Sequence, residues 1–120
     1  MSKTYRKMIK TNPDFKPLVY ICAPYKGDTE SNKKKAISYA DYAYKNGAIP
    51  VTVHFLFPFL DDGNEKERRD ALFMGIILLG KCDEVWVFGN EITYGMKKEL
   101  EIAEKRKQPI RHVSIKDLEV

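Results

Sequence analysis

Glu99 stands four residues after Gly95, in the run Trp86-Val-Phe-Gly89-Asn90-Glu91-Ile-Thr93-Tyr94-Gly95-Met96-Lys-Lys-Glu99. An apolar strand ends at a glycine, a polar turn follows, and a helix then carries a carboxylate about one turn inside it. That is where an open α/β sheet usually holds its ligand. The open N-terminal turn offers free N–H groups and a positive dipole end, which Thr93 and Gly95 let an anion approach. Met96, Leu100 and Ala103 form the apolar stripe of this helix, and Glu99 flanks it. The same position also suits an ordinary helix glutamate, favoured by the dipole by a few tenths of a kcal/mol.

Other reactive side chains fall near the same end of the sheet. Ala23, Pro24, Tyr25, Lys26 and Gly27 follow the first strand, His54 follows the second, and Gly89 and Asn90 follow the third. Tyr25 reads as a ligand clamp or a packed aromatic, and His54 as a general base or a strand cap. Asp61, Asp62 and Asp70 are further carboxylates, whereas Asp83 precedes its strand and reads as structural. The two histidines, His54 and His112, are far apart without close Cys or carboxylate partners. No metal site is expected from that spacing, and no GxSxG, Walker A or GxGxxG pattern calls for a cofactor.

The elements that must position these groups alternate. Leu18–Ala23 reads as a buried strand, and Ser31 as the N-cap of a helix over 32–46 that stops at Asn46-Gly47. Ala48–Val53 reads as a strand, and His54–Asn64 as a loop. A helix follows over 65–81, then a strand over Glu84–Phe88, a helix over 95–107 and a strand over Ile110–Val113. This order predicts a single flavodoxin-like (Rossmann-like) α/β domain over residues 18–120. Its parallel sheet has four to five strands, the first of them central, with helices on both faces. Residues 1–17 read as a flexible basic arm. Helix 65–81 is apolar nearly all round in its second half, and a small sheet covers only one side. A second subunit on the other side is therefore expected.

Composition narrows the partners. The chain has 120 residues, 43% hydrophobic, with net charge +4 from 21 Lys/Arg against 17 Asp/Glu. One domain with a real core fits that length. The mild basic excess favours phosphate-bearing small molecules over nucleic acid, because such charge runs are usually solvated faces. The longest apolar run is about half a membrane span. The two cysteines, Cys22 and Cys82, with no apolar leader ahead of them, fit a reduced, cytoplasmic setting.

Four pieces together resemble the nucleoside 2-deoxyribosyltransferase-like superfamily, in its small uncharacterised bacterial and phage branch. They are Val19-Tyr-Ile-Cys-Ala-Pro-Tyr-Lys-Gly27; His54-Phe-Leu-Phe-Pro58 with Leu60-Asp-Asp62; Cys82-Asp-Glu-Val-Trp-Val-Phe-Gly89; and Gly95-Met-Lys-Lys-Glu99. The resemblance implies an oligomer with sites near subunit contacts, a nucleoside or nucleotide substrate, and Glu99 as the nucleophile toward an anomeric carbon. It implies a supporting tyrosine, for which Tyr25 is the nearest candidate, and an aspartate on the helix before strand three. That last position reads as Gly75, so Asp61, Asp62 or Asp70 would have to substitute. A nucleotide-binding protein without catalysis is the alternative.

Overall fold

The computed structural model describes residues 14–25 and 29–118, so Lys26, Gly27 and most of the N-terminal arm lie outside the described residues. Four strands form one parallel sheet: β1 (Leu18–Cys22), β2 (Ile49–Val51), β3 (Glu84–Phe88) and β4 (Ile110–Val113), in the order β2-β1-β3-β4. Tyr20 pairs with Val51 on one side and Val85 on the other, and Val87 pairs with His112. The connections carry helices α1 (Thr29–Lys45), α2 (Glu65–Lys81) and α3 (Tyr94–Lys105), and a short α4 (Ile115–Leu118) closes the chain.

The period of two in β1 and β3 splits the core into two layers. Val19, Ile21, Trp86 and Phe88 face α1, packing against Tyr39 and Ala43. Tyr20, Cys22, Val85 and Val87 face the other way, packing against Leu79 of α2 and Met96 and Ala103 of α3. Phe88 stacks on Tyr39 with ring centroids 4.7 Å apart. The order reverses between β1 and β3, which opens the crevice beyond their carboxyl ends.

Local chemistry sets the helix ends. Gly47, at φ +83, closes α1: its N–H donates to the Tyr44 carbonyl, and the Ala48 N–H reaches back to Ala43 at 3.0 Å. That paired return is the glycine-terminated stop. The Asn64 side chain accepts the Glu67 N–H at the start of α2. At its other end the Gln108 side chain donates to the Leu79 and Cys82 carbonyls, at 2.8 and 2.9 Å.

Several expected boundaries move, most by a single residue and these by more. α1 begins at Thr29, so Ser31 lies inside it rather than capping it. β2 stops at Val51, and Val53–Phe55 turn as one 3-10 turn, because the chain bends there to bury Thr52 and His54. α3 ends at Lys105, not 107, where Lys107 takes the left-handed conformation at φ 59 and lets the Gln108 N–H return to the Ala103 carbonyl. Among the described residues no helix is long and apolar enough to cross a membrane.

Candidate functional site

β1 and α3 build the centre of the site. Tyr20 and Cys22 are two apart on β1, so both project onto the α2/α3 face, and both are fully buried. Glu99, on the third residue after Met96, reaches that face from α3. The Tyr20 hydroxyl donates to Glu99 Oε2. The Cys22 thiol lies 3.9 Å from Oε1. Both oxygens of the carboxylate are thus met by donors on the strand that borders the crevice.

The electrostatics follow from burial. Taking Glu99 out of water disfavours its charge and raises its pKa to about 7, while the hydrogen bonds from Tyr20 and Cys22 pull the other way. Burial, then the charge of Glu99, push the Tyr20 hydroxyl far above its ordinary range. The Cys22 thiol moves the same way for the same reasons. Both therefore stay protonated donors, and Glu99 is the group of this trio that changes charge near neutrality. A carboxyl poised there can act as nucleophile or as acid and base.

α2 crosses above this trio at Gly75. A Cβ built on Gly75 would lie 3.9 Å from the Tyr20 hydroxyl and 3.8 Å from Val53 Cγ1. The position expected to hold an aspartate is therefore beside the Glu99 pair, and it carries no side chain.

A second group lines the mouth after β1. His54 is buried, and its Nε2 sits 2.9 Å from the Pro24 carbonyl. A carbonyl only accepts, so Nε2 carries the proton and Nδ1, buried without a partner among the described residues, is the acceptor. Burial lowers the His54 pKa and the nearby Lys33 charge adds to that, against the Pro24 bond, so the ring is neutral. Tyr25 packs against His54 with ring centroids 5.2 Å apart, and Asn32 holds its carbonyl at 3.2 Å. Burial, then the charge and hydrogen bond of Asp62, raise the Tyr25 pKa. Tyr25 and Asp62 therefore meet across the mouth.

The remaining residues named from the sequence scatter more. Ala23 is buried at the end of β1. Gly89, at φ +95, turns the chain out of β3, with Pro24 and the Tyr39 hydroxyl beside it. Asn90 is exposed. Thr93 caps α3, accepting the Met96 N–H at 3.3 Å, and Gly95 borders open space. Met96 is buried in the core layer. Asp61 turns back to the Gly63 N–H, 2.9 Å away. Asp70 is paired with Lys66 at 3.0 Å on an exposed turn of α2. Among the described residues no cluster of His, Cys, Asp or Glu could hold a metal ion.

Sequence reasoning missed Tyr20 and Cys22 as the partners of Glu99, and favoured Tyr25. A usable signal existed: a tyrosine in the middle of an otherwise wholly apolar strand must place its hydroxyl on a buried acceptor.

A solved 2-deoxyribosyltransferase from the psychrotolerant bacterium Bacillus psychrosaccharolyticus superposes with a TM-score of 0.66 at 14% identity, over 81% of this chain and 72% of that chain. That enzyme is described as a biocatalyst for the synthesis of antiviral and antitumoral nucleosides. The likeness establishes a shared fold. No curated protein matches the chain in sequence. A family profile covers residues 17–113, from the start of β1 to the end of β4. The chain belongs to that family, described as "Domain of unknown function (DUF7768)".

Proposed function

We propose that the protein cleaves or transfers the N-glycosidic bond of deoxyribonucleosides or their monophosphates, with Glu99 as the nucleophile. The observation that carries this reading is the Glu99 carboxylate, half-buried and met by the Tyr20 hydroxyl, on the helix that leaves the switch point of a deoxyribosyltransferase-like fold. A Glu99 oxygen attacks C1′ and the C1′–N bond breaks. The bonding electrons leave with the base, which takes up a proton. Water or a second base then attacks C1′ of the glycosyl ester and frees the carboxylate.

The other residues support this in different degrees. Tyr20 holds the nucleophile, and Tyr25 and Gly89 border the substrate. Asp62, in contact with Tyr25, is better placed to serve the leaving base than Asp61 or Asp70, whose contacts lie elsewhere. The exposed N-terminal turn of α3 suits a 5′-phosphate. The outward face of α2 bears Leu72, Phe73 and Ile77, exposed at 57%, 66% and 46%. A second copy of the chain covering that face accounts for it.

Incubation with a panel of nucleosides and monophosphates, with chromatography for free base, tests the reading. Base release by the native protein and none by a folded Glu99→Ala variant is the expected result. A second reading, nucleotide binding without turnover, draws on Gly75, which leaves the Glu99 pair without a carboxylate from α2. Calorimetric binding with no release over long incubation would favour it.

A further inference from the structure

The chain leaves β1 through Ala23 and Pro24 and then presents Tyr25 at the mouth. The Pro24 ring fixes its φ, so its ψ is the soft dihedral that aims the chain into Tyr25. The Pro24 carbonyl lies in the peptide plane leading into Tyr25, and it accepts the His54 Nε2–H at 2.9 Å. The carbonyl of Tyr25 itself accepts from the Asn32 side chain of α1 at 3.2 Å. Both peptide planes that meet at Tyr25 are therefore held, one from the segment after β2 and one from α1. Pro24 also borders Gly89 at the exit of β3, so the held segment lies at the switch point.

His54 is poorly suited to chemistry of its own. A general base must reach the proton it takes. The Nε2 hydrogen is committed to Pro24, and Nδ1 is buried. What His54 offers instead is its ring, tilted at 54° to the Tyr25 ring with centroids 5.2 Å apart. Tyr25 is 38% exposed against 6% for His54, so Tyr25 is the member of the pair that a ligand meets.

We propose that His54 is a positioning residue. It holds Tyr25 at the mouth through the Pro24 carbonyl and through the contact of the two rings, and it touches no substrate. The inference rests on the glycosidic reading above and adds how the mouth is set before substrate arrives. Ordering Tyr25 during folding removes that cost from binding. Loss of His54 therefore appears in KM more than in kcat.

The test uses the full chain with His54→Phe, which keeps an aromatic ring without the donor, and His54→Gln, which keeps a donor. Steady-state base release from deoxynucleosides is measured for both, alone and combined with Tyr25→Ala. His54→Phe should raise KM about three- to tenfold with kcat within about twofold, and His54→Gln should stay nearer the native values. In the Tyr25→Ala background His54→Phe should raise KM no further, because its effect passes through Tyr25. Additive KM effects, or a collapse of kcat in both His54 variants, would overturn the positioning role and leave the glycosidic reading intact. Nitrogen NMR of the imidazole rings in the native protein gives a readout without substrate: His54 should be neutral with its hydrogen on Nε2, and a hydrogen on Nδ1 would overturn the inference. No base release from the native protein would remove the glycosidic reading and the positioning role together.

Discussion

At the scale of single residues, Tyr20 and Glu99 make one unit, and changing either reads out the other. Tyr20→Phe removes the donor to Glu99 and leaves the half-buried carboxylate with the weaker thiol contact. A hydrogen bond to a charged group is worth about 1.5–3 kcal/mol. Base release should therefore fall roughly ten- to a hundredfold, and the rising limb of its pH profile should move to higher pH. An unshifted profile would mean that Tyr20 does not hold the ionised Glu99. The limb itself should centre near pH 7 in the native protein, because Glu99 must be ionised to attack and its pKa is raised to about 7 by burial. The same shift has a stability consequence. A carboxyl whose pKa is higher folded than unfolded binds more protons in the native state, so stability falls as pH rises from the unfolded value toward about 7. Glu99→Gln removes that penalty. It should stabilise the protein by on the order of 3 kcal/mol at pH 8 and by little at pH 4, measured by urea unfolding. Equal effects at both pH values would contradict a half-buried Glu99 that titrates near neutrality. The sequence made Glu99 visible through its spacing from Gly95; it marked Tyr20 as needing a buried acceptor but not which one, because a strand buried on both faces shows no alternation to tell which side chains point toward α3.

At the scale of elements, the long apolar runs were readable and the turns were not. β1, β3 and α2 follow from composition and length, whereas β2 ends early because Thr52 and Val53, both β-branched, sit in a turn set by tertiary burial of His54. α1 begins at Thr29, two residues ahead of its expected cap. α3 ends where Lys107 takes φ 59, a conformation that costs an L-residue with a Cβ about 1 kcal/mol. Lys107→Gly should relieve this and stabilise by about 0.5–1 kcal/mol, read as a higher urea midpoint at unchanged m-value. A lower midpoint would mean that the lysine side chain makes a contact worth more than the strain.

At the scale of the whole molecule, a sheet of four strands covers one side of each helix, and α2 is left with apolar residues outward. Phe73→Glu should abolish self-association if a second copy covers that face, with sedimentation changing from a larger species to a monomer. A native protein that sediments as a monomer at high concentration would remove the second copy from the account. The doubly wound plan, the central place of β1 and the two core layers were legible from strand and helix alternation, since a right-handed parallel plan leaves few alternatives. The candidate site at its centre was half legible: the position of Glu99 is local, but its tyrosine partner lies 79 residues away and its neighbour on α2 is a glycine. The most direct test of the central claim is mass spectrometry of the protein quenched during incubation with a deoxynucleoside, with the adduct mapped by peptide digestion. The account predicts one deoxyribosyl group on Glu99, lost in Glu99→Ala together with release of free base. Base release by Glu99→Ala at the native rate, or an adduct on another residue, would contradict it.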